Sequence, residues 1–171
     1  MMKRRHFLIS TFGALGTGLF ATSLAHKAAL AGEFKVNKRK EDWLKIISKE
    51  QYGVLFQEDT ERPWTSPLND EKRKGTFVCA ACSQPLFKSE SKFNSGTGWP
   101  SFFQPIAGAL GTKRDFKLIL PRTEYHCSNC GGHQGHVFDD GPPPTGKRYC
   151  NNGLALKFVA DGEALPEVLK S

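Results

Sequence analysis

Cysteine is scarce in this chain and odd in number, with five among 171 residues. A disulfide framework therefore cannot use every sulfur, and at least one has no cysteine partner within the chain. No internal repeat and no low-complexity tract is present, which excludes a solenoid or fibrous architecture. A βαβ alternation around either C-x-x-C is also missing, and with it the usual setting of a thioredoxin-like redox pair. The formal charge of +7 suggests an anionic partner, but much of it sits in a segment that does not belong to the folded domain.

That segment is residues 1–31. Lys3, Arg4 and Arg5 form a basic head, and residues 7–25 carry no charge. The opening R-R-x-F-L and the weak hydrophobicity conferred by Gly13, Gly16 and Gly18 resemble a twin-arginine export signal. Ala29-Leu30-Ala31 supplies an A-x-A cleavage site, with Ser23-Leu24-Ala25 as a second choice, so the expected mature chain starts at Gly32 and is periplasmic. The alternative is an uncleaved membrane anchor, since the uncharged run approaches the ~20 residues that span a bilayer. The segment holds Lys3, Arg4, Arg5 and Lys27 and no acidic residue, which leaves 20 basic against 17 acidic residues. A nucleic-acid partner is not expected from so small an excess.

The remainder, 32–171, suits one domain with a real core. Residues 33–42 are charged and read as a flexible, solvated lead-in. Ser48 with Gln51 has the form of a capping box and predicts a helix over 48–57. Short runs rich in β-branched and aromatic residues then predict strands at 75–80, 116–121, 123–128, 136–138 and 154–159. Further helix is expected only over Glu163 to Leu169. The class is mainly β, a small antiparallel domain.

Cys79 and Cys82 form one C-x-x-C, and Cys127 and Cys130 form a second. Two such pairs can place four thiolates around one tetrahedral zinc, the reading preferred here. Two disulfides of an exported protein, or one redox pair, are the competing readings. Folded export would allow zinc to be loaded in the reducing cytoplasm first.

Cys150 stands alone in R-Y-C-N-N-G. A thiol reacts as its thiolate, so a nucleophilic cysteine calls for positive charge or hydrogen-bond donors to lower its pKa from about 8.5. Arg148 and Asn152, two residues to either side, fall on its face of a strand. His133 and His136, in G-G-H-Q-G-H-V-F, can supply a proton to a leaving oxygen, or else be extra metal ligands or structural histidines. Trp99 in S-G-T-G-W-P-S-F is either core packing or the wall of an apolar pocket.

Taken in order, C-x-x-C, S-G-T-G-W-P-S-F, C-x-x-C and G-H-Q-G-H-V-F-D-D-G-P-P-P-T-G-K-R-Y-C-N-N-G closely resemble the methionine-R-sulfoxide reductases, the B family, over about 41–160. The resemblance implies two antiparallel β-sheets with one structural zinc on Cys79, Cys82, Cys127 and Cys130, away from the active site. It implies that Cys150 attacks the sulfoxide sulfur and becomes a sulfenic acid while methionine leaves. His133 and His136 would handle the oxygen, Asn152 would hydrogen-bond in the site, and Arg148 would stabilise the thiolate. Trp99 would seat the substrate methyl, with Phe138 as a second substrate-binding residue.

Three positions depart from the family pattern. Thr97 stands where many members carry a second cysteine, so an external thiol, thioredoxin-like or small, is the expected reductant, the alternative being a zinc cysteine sacrificed at the cost of the metal. Asn151 and Gly153 replace the usual C-I-N-S or C-V-N-S flanks, and a polar Asn151 is expected to point to solvent or to alter the approach to the pocket. Gln134 stands where leucine is frequent. The expected substrate is methionine-R-sulfoxide, in oxidised proteins or as the free amino acid, with the twin-arginine translocase as a partner during export and a monomer as the working state. A non-catalytic zinc-bearing β binding module is the alternative, which would have no reason to keep Cys150, His133, His136 and Asn152 together.

Overall fold

A computed structural model describes residues 34–117 and 121–170. The expected export segment, 1–31, lies outside the described residues. Two short helices come first, α1 (Lys40–Trp43) and α2 (Lys49–Gln57). The Ser48 hydroxyl accepts from Gln51 N while the Gln51 side chain accepts from Ser48 N, so the capping box forms and α2 starts where it was expected.

Nine strands follow: β1 (Gly75–Cys79), β2 (Pro85–Lys88), β3 (Lys92–Phe93), β4 (Ser101–Phe102), β5 (Leu110–Asp115), β6 (Arg122–Cys127), β7 (His133–Phe138), β8 (Arg148–Asn151) and β9 (Leu156–Ala160). They make two sheets, ordered β2-β1-β9 and β3-β4-β8-β7-β6-β5, with every pairing antiparallel. The mainly β, antiparallel class is therefore as read from the residues, and the two sheets are as the resemblance implied. Aromatic side chains fill the core: Phe77, Phe87, Phe102 and Tyr125 are fully buried, and Phe87 stacks on Phe102 with centroids 4.2 Å apart. Each such ring removes some 150–250 Å² from water, so four of them account for much of the apolar burial of a small domain. No helix among the described residues is long and apolar enough to cross a membrane.

Three expectations need correction. Residues 33–42 are not a free lead-in where described, because Val36 is 1% exposed and donates its N–H to Asn129 O at 3.0 Å. The charged composition hid single apolar anchors: Val36, and just beyond it Trp43, which stacks on Phe56. Residues 163–169 form no helix. That tail instead runs over the first cysteine hairpin, where Leu169 N donates to Cys82 O and Asn129 Nδ2 donates to Leu169 O. The strand expected at 116–121 is displaced. Residues 118–120 lie outside the described residues, Phe116 and Lys117 are not in strand, and the preceding, more polar β5 pairs with β6 instead. The chain leaves the sheet at Asp115, whose carboxylate accepts from Lys117 N.

Candidate active site and metal centre

The two C-x-x-C segments are the turns joining β1 to β2 and β6 to β7. In each, the backbone folds back on the first cysteine: Ser83 N donates to Cys79 O, and Gly131 N donates to Cys127 O, both at 2.9 Å. Ser83 and Gly131 adopt positive φ, 62° and 72°, to complete these turns. The four sulfurs all lie within 4.8 Å of one another, with Cys79 to Cys130 at 3.8 Å and Cys82 to Cys127 at 3.5 Å. Tetrahedral zinc–sulfur bonds of about 2.3 Å require sulfurs about 3.8 Å apart, whereas a disulfide requires about 2.05 Å. All five cysteines are free thiols. The cluster is buried and can hold a metal ion, and the disulfide reading fails on distance.

Cys150 lies at the middle of the larger sheet, on β8. Ser101 of β4 is its register partner on one side and His136 of β7 on the other. Directly opposed residues project from the same face with Cβ atoms roughly 4.5–5.5 Å apart, so His136 stands beside the sulfur. A cleft of about 130 Å³ opens here, with Cys150, His136, Trp99, Phe138 and Asn152 among its lining residues.

Histidines three apart on a regular strand would point to opposite faces. Here the ladder slips between Tyr125 and His126: Tyr125 pairs with Gly135, but His126 pairs with His133, leaving Gln134 as the extra residue of a β-bulge. The bulge restores a common face, and the rings of His133 and His136 stand 5.4 Å apart. Two buried carboxylates orient them, and neither was singled out in the sequence. His136 Nε2 donates to Asp115 Oδ2 at 2.7 Å, and Arg122 donates to the same oxygen. His133 Nδ1 donates to Glu124 Oε1 at 2.8 Å, and His126 donates to Oε2. Burial alone would raise the Glu124 carboxyl, but hydrogen bonds and charge from the two rings bring it to about 2. The Asp115 carboxyl is held below its usual range by the Lys117 N–H and, against the effect of burial, by His136 and Arg122. Ionised carboxylates only accept, which assigns the proton to Nε2 of His136 and leaves Nδ1 as its basic nitrogen. His133, 3% exposed, stands behind His136 and does not line the cleft.

Arg148 stacks over the Phe138 ring at 4.3 Å and is bound by both Asp140 oxygens, at 2.8 and 2.9 Å. Burial pushes the Cys150 thiol above its ordinary value, and the charge of Arg148 with hydrogen bonds from Thr97 and Arg148 offsets only part of this. The net direction is opposite to the lowered pKa anticipated from sequence, because a thiol walled by aromatic rings loses more hydration than one guanidinium returns. Burial also lowers the His136 ring, with Asp115 opposing. The resting pair is a protonated thiol beside a neutral imidazole, oriented by a carboxylate. That is the arrangement of a nucleophile with its base.

Asn152 is anchored rather than free. Its Nδ2 and its backbone N both donate to Gln134 O, the carbonyl of the bulge residue, and its Oδ1 accepts from Glu61 N. The second Nδ2 hydrogen remains available to a ligand. Thr60 and Arg122 also line the cleft, and nothing in their local sequence signals it.

The departures from the family pattern have structural partners. Asn151 does not point to solvent: it is 0% exposed, because the alternation that turns Arg148 and Cys150 to one face turns Asn151 toward the core. Its Oδ1 accepts the Tyr125 hydroxyl at 2.8 Å, and its Nδ2 donates to Asn152 O at 2.8 Å and, at 3.4 Å, to Gln134 Oε1. Gln134 Nε2 in turn approaches Cys79 Sγ at 3.6 Å. Asn151→Ile alone should destabilise by about 1–3 kcal/mol, since it strands the Tyr125 hydroxyl in the core. The triple variant with Gln134→Leu and Tyr125→Phe should regain most of that loss in urea unfolding. Gly153 is explained by Ser66, whose Oγ lies 1.9 Å from where a Cβ would sit.

The family described as the SelR domain matches residues 47–160. The peptide methionine sulfoxide reductase MsrB of Agrobacterium fabrum is 52% identical over 125 residues, covering 72% of this chain and 93% of that protein. The protein of the same name from Leptospira interrogans is 52% identical over 126 residues, covering 73% and 96%. The chloroplastic peptide methionine sulfoxide reductase B1 of Arabidopsis thaliana is 50% identical over 120 residues, 70% of this chain and 59% of that one. On this match and on relatives covered almost end to end, the chain belongs to the SelR family, that of the MsrB peptide methionine sulfoxide reductases.

Proposed function

We propose that this protein reduces methionine-R-sulfoxide in oxidised proteins to methionine, with Cys150 as nucleophile. The observation that carries the reading is the facing of Cys150 by His136 across one register pair, in a cleft walled by Trp99 and Phe138. His136 takes the thiol proton on Nδ1, and the Cys150 thiolate attacks the sulfoxide sulfur. The proton is delivered to the departing oxygen, so a sulfenic acid forms on Cys150 as the substrate sulfur is reduced to a thioether. Trp99 and Phe138 seat the methyl group, Asn152 and Arg148 hold polar atoms beside the sulfur, and His133 with Glu124 braces His136.

An external thiol completes the cycle. It attacks the sulfenic sulfur, releasing water and leaving a mixed disulfide, which a second thiol resolves. The Thr97 hydroxyl, bonded to Ser95 Oγ, occupies the place of a resolving cysteine, and the other four thiols are gathered in the cluster. The reductant is thioredoxin-like or a small thiol, and the working state is a monomer.

The cluster metal is zinc in this reading: four thiolates with tetrahedral spacing suit it, and it serves the fold. Residues 1–31 act as a twin-arginine signal that delivers the folded, zinc-loaded domain to the periplasm through the translocase. Recovery of the periplasmic protein with two disulfides and no zinc would refute this order of events.

The test of the reaction is turnover of separated R and S forms of N-acetyl-methionine sulfoxide with excess dithiothreitol. Consumption of the R form alone is expected. Equal consumption of both, or of neither by a folded, metal-loaded protein, would overturn the assignment.

A further inference from the structure

Glu61 lies 91 residues from Asn152 in sequence, yet it binds three separate parts of the cleft wall. Its backbone N donates to Asn152 Oδ1 at 3.1 Å, and its carbonyl accepts the indole Nε1–H of Trp99 at 3.1 Å. Its carboxylate oxygens accept the next two backbone N–H groups after Asn152: Gly153 N to Oε1 at 2.9 Å and Leu154 N to Oε2 at 2.8 Å. The residue is 8% exposed, so this is a dry, charge-assisted contact of the stronger kind. A few residues on, Trp64 adopts φ 67°, costly for a bulky side chain, and its N–H donates to Gly98 O, next to Trp99, at 2.7 Å. The segment 60–64 is thus fastened to the Trp99 loop at two points and to the turn after Cys150 at three.

We propose that Glu61 is a positioning residue that fixes the spacing between the aromatic seat at Trp99 and the amide of Asn152, and so sets how tightly and with which handedness a sulfoxide is held. The proposal rests on the reaction described above. Discrimination between R and S forms depends on placing methyl and oxygen on opposite sides of the sulfur, and Glu61 is the residue bonded to both sides. Cys150 itself is held differently, by its register partners on β4 and β7, and should keep its position when Glu61 is lost.

The experiment uses the full chain with Glu61→Ala and Glu61→Gln, assayed with N-acetyl-methionine-R-sulfoxide, its S isomer and dithiothreitol. In parallel, the pH dependence of Cys150 alkylation by iodoacetamide is followed. Glu61→Ala should lower kcat/KM for the R form by roughly 10²-fold, the scale of an ångström-level misplacement, through a raised KM and a narrowed R-over-S preference. The alkylation midpoint should not move. Glu61→Gln, whose amide oxygen still accepts, should lose less and guards against a misfolded alanine variant. Unchanged KM and selectivity in either folded variant overturns the proposal, as does a loss that follows a shifted alkylation midpoint. Absence of R-form turnover in the wild type, seen before any variant is compared, instead overturns the reaction on which it rests.

Discussion

Replacing Cys150 with serine should reduce turnover of methionine-R-sulfoxide by roughly 10⁴-fold or more, the scale seen when a covalent nucleophile is removed. Serine matches the shape of the thiol and would face a hydroxyl at its neighbour Ser101, so the strand should stay intact. What disappears is the polarizable sulfur: an alkoxide is far harder to form in this cleft, and oxygen cannot accept the sulfoxide oxygen as a sulfenic acid does. A single-turnover measurement without added thiol makes this sharper. The wild-type protein should yield methionine in stoichiometric amount with Cys150 and then stop, because the sulfenic acid has no neighbouring thiol to condense with, whereas Cys150→Ser should yield none. Metal content and melting temperature should match the wild type, and a variant that continued to turn over would reassign the nucleophile.

Removal of the cluster metal should unfold the domain. Structural zinc on thiolates contributes apparent binding free energies of about 10–16 kcal/mol, comparable with or larger than the roughly 5–15 kcal/mol by which whole domains are stable. The cluster joins the β1–β2 hairpin of one sheet to the β6–β7 hairpin of the other, and sulfur-to-sulfur spacing inside it leaves no room for thiolates to coexist without a cation. Its hairpins also hold both ends of the described chain, Val36 on Asn129 and Leu169 on Cys82. A strong chelator at neutral pH, or Cys130→Ser, should therefore abolish the sharp thermal transition and the near-ultraviolet signal of the packed tryptophans. A chelated, metal-free protein that kept its melting temperature would show that the thiols are packed for another purpose.

Local chemistry was legible in the sequence, and distant partnership was not. The paired C-x-x-C segments announced a cluster because turn geometry and ligand type are encoded within four residues. The capping box at Ser48 was readable for the same reason. His133 and His136 were visible as candidates, but the bulge that turns both to one face depends on pairing with β6, and no property of Gln134 alone indicates it. Asp115 and Glu61, which orient His136 and brace the cleft, lie 21 residues from His136 and 91 from Asn152, and single-sequence reasoning has no means of pairing them. The error over Asn151 was of another kind. The strand alternation applied to Arg148 and Cys150 already assigned Asn151 to the core, and its polarity misled because the Tyr125 partner was not in view.

Cys150 occupies an interior strand, hydrogen-bonded on both sides, at the floor of a cleft of about 130 Å³. The backbone that carries the sulfur cannot swing outward to meet a second reactant, and substrate and reductant must reach the sulfur through the same cleft. On the proposed chemistry the thioether must therefore depart before any thiol can approach the sulfenic acid. Oxidation and recovery of the cysteine become events separated in time by an empty cleft, and the lifetime of the oxidised sulfur is governed by how quickly product vacates the place its reductant needs.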